Sequence, residues 1–287
     1  MSSSLTTRIH PQAIVEPGAE IGVGVEIGPY CIISATAQIG DRCQILGGSQ
    51  ILGHTTLGPE NEIHGGAILG GTPQDRTYHG EDTRVVIGAR NKIRENVTIH
   101  RATTKEERVT RIGDDNLIMG GTHIAHDCKL GNQITIGNNS LLAGHVLVED
   151  GVTISGGTGI HHWCSIGRLA MIGALCRVAM DVPPFLVCEG RPGRVRGLNL
   201  VGLRRNGVDG AGLEAVRDAY KILFHTSETR EAALLKLEAS DPMTPEVQHL
   251  VRYLRRSDQG YRGRYLEGVY RGKVKPDADG DQEPQVF

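Results

Sequence analysis

From Ile9 to Val178 this chain sets an aliphatic residue at every sixth position, apart from two polar interruptions. The series runs Ile9, Val15, Ile21, Ile27, Ile33, Ile39, Ile45, Ile51, Leu57, Ile63, Leu69, then Ile87, Ile93 and Ile99. It slips by one residue and continues from Ile112 through Ile118, Ile124, Leu130, Ile136, Leu142, Val148, Ile154, Ile160, Ile166 and Ile172 to Val178. A helix repeats every 3.6 residues and cannot keep a period of six in phase over such a length. Hexads instead mark a parallel β-helix, in which short strands stack coil upon coil. Glycine often follows the aliphatic residue, as at Gly22, Gly28, Gly58 and Gly113, where a tight turn would use its freedom of backbone angle.

The slot four residues after each repeat position holds small residues: Ala19, Ala37, Ser49, Thr55, Ala67, Thr122, Ser140 and Thr158. All six cysteines fall there too, namely Cys31, Cys43, Cys128, Cys164 and Cys176, with Cys188 if the register runs past Val178. The slot lies two residues before the next aliphatic and so points to the same side of the strand. The cysteines therefore read as buried fillers, and no CxxC pair suggests zinc.

The remaining composition excludes several classes. A net charge of -2 with 22% charged residues leaves no surface built for polyanions, so nucleic acid is not an expected partner. MSSSLTTRIH lacks the apolar stretch of a signal peptide. No run of about eighteen apolar residues is present, so no membrane span is expected and the cytoplasm is the expected location.

The expected organisation is a β-helix over 1–192, interrupted by polar loops at 71–84 and 100–111, where binding groups commonly sit. A small α-helical domain is expected over 193–258. In it, Asp209 would cap a helix carrying Leu213, Val216, Tyr220, Leu223 and Phe224, a second helix would cover Arg230 to Ala239, and Thr244–Pro245 would start a third. A polar, loose tail is expected over 259–287.

The stretch THIAHDCKLG holds His123 and His126, with Asp127 directly after. His126 lies two residues past Ile124 and so falls on a turn. Steps of eighteen carry His126 to Gly144 and His162, and Asp127 to His145 and Trp163. With coils about 4.8 Å apart, His126, Asp127, Gly144, His145, His161 and His162 form one patch on one edge. A zinc site is one reading of such a patch. Acid–base chemistry is the other, and it is preferred because Asp127 follows His126 immediately. A neutral imidazole takes a proton from a hydroxyl, Asp127 sets its tautomer, and the Gly144 N–H donates to a developing oxyanion. No metal and no cofactor are expected.

The stretches IHPQAIVEPGAEIG, PQD with YHGEDTRVVIG, IRENVTIHR, DNLIMGGTHIAHDC, LAGHV, DVPPF and GLNLVGLRRNG cover most of the chain from Ile9 to about Tyr220. Together they resemble the UDP-N-acetylglucosamine acyltransferase family. The resemblance implies an all-β left-handed parallel β-helix followed by a small α-helical domain, assembled as a homotrimer with sites between subunits. It implies transfer of an (R)-3-hydroxyacyl group from acyl carrier protein to the 3-position of UDP-N-acetylglucosamine, the first step of lipid A biosynthesis. His126 would be the general base and Gly144 the oxyanion donor. Asp75, His123 and His145 would contact the sugar, His100 and His161 would line the same cleft, and Asn199 and Arg205 would hold the nucleotide end. Ala174, beside Gly173, would stop the acyl chain after a run of three coils along the edge, which suits twelve to fourteen carbons. The chain departs from the family pattern at Thr77, where a lysine is usual, and at His162, Val201 and Asn206. The alternatives are a 3-amino-sugar acceptor, the N-acyltransferase of the same pathway, and a non-catalytic acyl-carrier-binding scaffold.

Overall fold

The computed structural model describes residues 6–240 and 243–276. The hexads form two-residue to four-residue strands that gather into three sheets of eleven, nine and eight strands, parallel throughout except for the last strand of the first, and these are the faces of a triangular prism. Successive strands move from the first sheet to the second to the third and back. Glu62–Ile63 thus pairs with Lys92–Ile93, then Leu117–Ile118, then Thr135–Ile136 on one face. Steps are eighteen residues in the plain coils and longer where the two loops emerge.

The aliphatic column fills the prism, and Ile33, Ile51, Ile63, Ile99, Ile124, Ile136 and Ile166 have no exposed surface. The small slot is inward, as its spacing required. Thr122, Ser140 and Thr158 are wholly buried and donate across the coil to Gly137 O, Ser155 O and Gly173 O at 3.1–3.2 Å. Such bonds remove the cost of burying a hydroxyl. All six cysteines are buried and free. Cys188 is the exception in register. It pairs with Ile172 and takes an aliphatic position, because the final coil is two residues short, as the Ile166–Val182 bridge shows.

The glycines after the aliphatic positions have a different cause from the one the sequence suggests. Gly22, Gly28, Gly58 and Gly113 are not left-handed, although Gly70 after Leu69 is. Positive φ falls later in the turn, on residues such as Arg42, Asp127, His145 and Trp163. A Cβ on Gly22 would stand 2.7 Å from the backbone nitrogen of Asp41, and one on Gly58 would stand 2.7 Å from Gly88 O. Glycine is needed there because the next coil approaches too closely.

Among the described residues no coil covers the first strands, and the inward repeat residue Ile9 is 46% exposed. At the other end Leu186–Glu189 pairs antiparallel with Arg194–Leu198, and five helices follow among the described residues. They are α1 (Leu200–Arg205), α2 (Gly210–Phe224), α3 (Arg230–Glu238), α4 (Pro245–Gln259) and α5 (Tyr265–Tyr270). A second apolar cluster, including Phe185, Leu203, Val216, Leu234, Leu250 and Leu254, joins the helices to the prism at Leu169. Thr244 caps α4, accepting from Val247 N at 3.4 Å. Asp209 stands at the N-cap of α2 but its side chain makes no cap bond. The helix α3 ends at Glu238, one residue short of the expected bound.

The stretch expected as a loose tail is helical at α5 and docked. The Asp181 carboxylate accepts from Tyr265 N at 2.8 Å, and Arg264 donates to Ala179 O at 2.8 Å. Its paired charges Arg264 and Glu267 are buried together, which hid its affinity for the prism from a reading of polarity. Residues 277–287 of the expected tail lie outside the described residues. Among the described residues no helix is long and apolar enough to cross a membrane.

Candidate active site

The turn between the second and third sheets carries the histidine patch. His123–Ile124 belongs to the second sheet and Lys129–Leu130 to the third, so His126 and Asp127 form the corner. The coils above repeat it. His145 N donates to His126 O at 3.1 Å and Trp163 N to Gly144 O at 3.3 Å. Asp127, His145 and Trp163 each adopt φ near +60°, so their side chains leave the prism in one column.

Asp127 is 2% exposed and His126 is 6% exposed. Asp127 Oδ2 lies 2.8 Å from His126 Nδ1. Both carboxylate oxygens also accept from Thr103 N at 3.0 Å, and Oδ2 accepts from Thr103 Oγ1 at 2.7 Å. Burial alone would raise the Asp127 pKa, but the bonds from His126 and Thr103 overcome it and hold the group below its ordinary value. An ionised Asp127 accepts only, so His126 Nδ1 carries the proton and Nε2 has its lone pair free.

Nε2 faces Asp75, whose Oδ2 is 3.9 Å away. Asp75 is bonded to Lys105. That bond, supported by Thr77 N and Oγ1 against a modest burial penalty, holds the Asp75 carboxyl well below the carboxylate range. Thr77, the departure from the family's lysine, turns its backbone and hydroxyl onto Asp75 at 2.8 and 2.7 Å. Lys105 supplies the cation from the other loop. Thr103, Lys105 and Glu106 were missed as individuals by sequence reasoning. The only signal was that they lie in the polar interruption at 100–111.

Gly144 touches the ring of His126. A Cβ there would stand 2.4 Å from Cε1 and 2.8 Å from Nε2. Among the described residues none accepts from the Gly144 N–H. His145 packs edge-on to His126 with centroids 5.2 Å apart, and its Nε2 is 3.7 Å from Asp127 Oδ2. Its buried Nδ1 has no hydrogen-bond partner among the described residues, since Glu106 Oε1, 3.3 Å away, is out of line. His100 packs edge-on to His123 at 4.8 Å, and Thr98 Oγ1 meets His123 Nδ1 at 2.7 Å. Burial first, then the charges of His123, His126 and Arg101, push His100 down to about 4, and His123 is lowered by burial and His126. His100 Nδ1 is also buried and unbonded among the described residues. His161 and His162 flank the patch, with His161 Nδ1 3.0 Å from His162 O.

Three groups, His126, Asp127 and His145, come within 4.8 Å of one another and could hold a metal. A cation there would have to displace the Nδ1 proton of His126 from an aspartate that already accepts from Thr103, so acid–base chemistry fits the arrangement better.

Other expected residues are not brought to this corner. Ala174 follows Met171–Ile172 of the first sheet and precedes Arg177–Val178 of the second. It therefore stands on a different edge from His126, and an acyl path of three coils along a single edge does not exist in this chain. The forty-eight residues between them are two coils and two-thirds, which rotates the turn by one corner. A Cβ on Gly173 would meet Glu189 Cγ at 2.7 Å. Asn199 is buried, and its amide is spent: Oδ1 caps α1 by accepting from Gly202 N, and Nδ2 donates to Leu169 O, both at 2.9 Å. Arg205 is exposed at the end of that helix. Leu169 marks the third edge, between Ser165–Ile166 and Met171–Ile172.

Comparison with known proteins places these features in a family. A model described as UDP N-acetylglucosamine O-acyltransferase, domain 2, matches residues 181–263, and a bacterial transferase hexapeptide model matches 110–144. The chain is similar to the UDP-N-acetylglucosamine acyltransferase of Bacteroides fragilis, with 37% identity and a TM-score of 0.84 over 86% of this chain and 96% of that one. It is similar to the enzyme of Campylobacter jejuni, with 37% identity and a TM-score of 0.82 over the same shares. The Arabidopsis enzyme matches at 37% identity and a TM-score of 0.77, over 87% of this chain and 96% of that one.

Proposed function

Because the chain belongs to the UDP-N-acetylglucosamine O-acyltransferase family of left-handed β-helix enzymes, we propose that it moves an (R)-3-hydroxyacyl group from acyl carrier protein to the 3-hydroxyl of UDP-N-acetylglucosamine, with His126 as the base. This is the first step of lipid A biosynthesis. The observation that carries the assignment of the base is the 2.8 Å contact between Asp127 and His126 Nδ1, which leaves Nε2 free to accept.

Nε2 takes the proton of the sugar hydroxyl as its oxygen attacks the thioester carbonyl. Gly144 N–H donates to the oxyanion that forms. The tetrahedral species collapses, the C–S bond breaks, and the imidazolium returns the proton to the departing thiolate. Asp127 stabilises the imidazolium and keeps the ring oriented. Asp75, ionised and tethered by Lys105, accepts from a hydroxyl of the sugar, and the unbonded Nδ1 atoms of His100 and His145 meet its polar groups. His123 and His161 complete the sugar-facing wall.

Asn199 acts by capping α1 and so aiming Arg205 at the nucleotide. Ala174 stands on another edge of the prism than His126, and Arg205 stands on α1, which Asn199 ties to the third edge at Leu169; this supports a homotrimer whose neighbouring subunits complete each site. The ruler at Ala174 and Gly173 then acts on a chain bound between two subunits. Mass spectrometry of products from a panel of 3-hydroxyacyl carrier proteins and UDP-sugars tests the reading. Ester at the 3-position of UDP-N-acetylglucosamine is expected. Amide formed only on a 3-amino sugar, or no product with any pair, would overturn it.

A further inference from the structure

The docked helix α5 begins just past the segment matched by the family model, which ends at residue 263. It reaches the catalytic corner through three stacked rings. Tyr270, its last residue, lies on Trp163 with centroids 4.5 Å apart and planes 22° apart. Trp163 lies on His145 at 3.7 Å and 7°. His145 stands 3.7 Å from Asp127 Oδ2, and Asp127 holds His126. The column is continuous in the fold as well. Asp127, His145 and Trp163 occupy the same turn position in three successive coils, and in the next, shortened coil Asp181, one residue before Val182, seats α5 by accepting from Tyr265 N. Gly263 O accepts from Asp181 N at 2.8 Å, so the same residue is bonded to the segment twice.

We infer that α5 is a positioning element for the catalytic pair, with Tyr270 clamping Trp163 and, through it, the His145 ring against Asp127. The physical reason is that His145 is weakly held by polar bonds. Its Nδ1 has no hydrogen-bond partner among the described residues and its Nε2 is too far from Asp127 for a strong bond, so the orientation of the ring rests on stacking. Paired aromatic rings hold geometry as well as area. A free face on Trp163 would let both rings tilt and would loosen the wall beside His126. Misplacement on the scale of 1 Å near reacting atoms costs up to about 10²-fold in rate.

The inference rests on the reading of His126 and Asp127 given above, but its test has a separate signal. Trp163 is the single tryptophan of the chain, so intrinsic emission reports the stack directly. In Tyr270→Ala of the full chain, Trp163 emission should shift to the red and kcat should fall about tenfold or more, with KM for both substrates changed less than about threefold. Tyr270→Phe keeps the ring without the hydroxyl and should restore both. Unchanged emission in Tyr270→Ala would show that the stack does not form in solution. Shifted emission with unchanged kcat would show that it does not reach the catalytic pair. A kcat that Phe fails to restore would show that stacking is not the means. A His126→Ala enzyme that keeps its turnover overturns the general base alone, since emission and kcat of the Tyr270 variants are read independently of it.

Discussion

Asp127 Oδ2 and Thr103 Oγ1 are 2.7 Å apart, and this contact ties a loop that interrupts the repeat to a turn that belongs to it. Thr103 also gives its backbone N–H to both oxygens. The Asp127 carboxylate is thus fixed from outside the prism, and what remains for it to accept is the proton side of His126 Nδ1.

Replacing His126 with alanine should lower turnover by roughly 10²–10⁴-fold, the usual range for a general base, without loss of thermal stability beyond a few degrees. Steady-state kinetics with purified protein checks this. Turnover within threefold of the wild type would remove His126 from the mechanism.

Gly144→Ala should be nearly as harmful, because its Cβ would sit 2.4 Å from His126 Cε1. Its backbone has no positive φ to strain, so the fold should persist while the ring is pushed aside, and a displacement of this kind costs about 10²-fold. A fully active Gly144→Ala enzyme would mean that the ring has another place to go.

Asp181 gives the pH dependence of the docked end. Burial raises its carboxyl to about 7, against the opposing bonds from Tyr265 N and Ser165 N and the charge of Arg264. A carboxyl raised in the folded state binds its proton more tightly there than when unfolded. Its contribution is complete below the unfolded value near 3.8 and is lost as pH rises toward 7. The loss is on the order of 4 kcal/mol at most. Thermal midpoints should therefore fall between about pH 4 and pH 7 on this account, and Asp181→Asn should flatten that slope. Equal slopes in the two proteins would assign the dependence to other groups.

Chelation should leave activity intact. His126 Nδ1 and Asp127 are bonded to each other, and Asp127 also accepts from Thr103, so the three-group cluster is occupied by protons rather than prepared for an ion. Dialysis against a chelator followed by assay checks this, and activity lost and then restored by zinc would reverse the reading.

Ala174→Met should move donor preference toward shorter acyl chains by about 10–200-fold, the scale on which apolar pockets separate chains by a few methylenes. Because Ala174 and His126 lie on different edges, the effect requires a neighbouring subunit. An Ala174→Met enzyme with the wild-type preference across donor lengths would place the chain's end elsewhere.

The repeat made the prism legible from the sequence, since a period of six has one physical outcome and each of its positions could be assigned inward or outward. The stacking of Asp127 under His145 and Trp163 followed from arithmetic in eighteens. What the period does not contain could not be read. Thr103 and Lys105 come from an insertion whose path is set by the bonds it makes at its far end, and those partners are distant in sequence. Helix α5 was hidden because its charges are matched internally. Ala174 was misread for a different reason: a slot within the hexad tells which way a side chain points but not which of three corners it occupies, and that needs the count modulo eighteen.

Among the described residues the first coil is left uncovered, which has a consequence for how the molecule comes apart. Each coil is bonded only to those directly above and below it, so stability is transmitted between neighbours and local opening is cheapest at an unprotected end. The inward residue Ile9, 46% exposed, marks that end, while Asp127 and His145 sit several coils inward and Asp181 lies toward the opposite one. Amide exchange should therefore spread from the amino terminus as a progressive unzipping, and the chemistry of the enzyme should outlast the coils on which the chain begins.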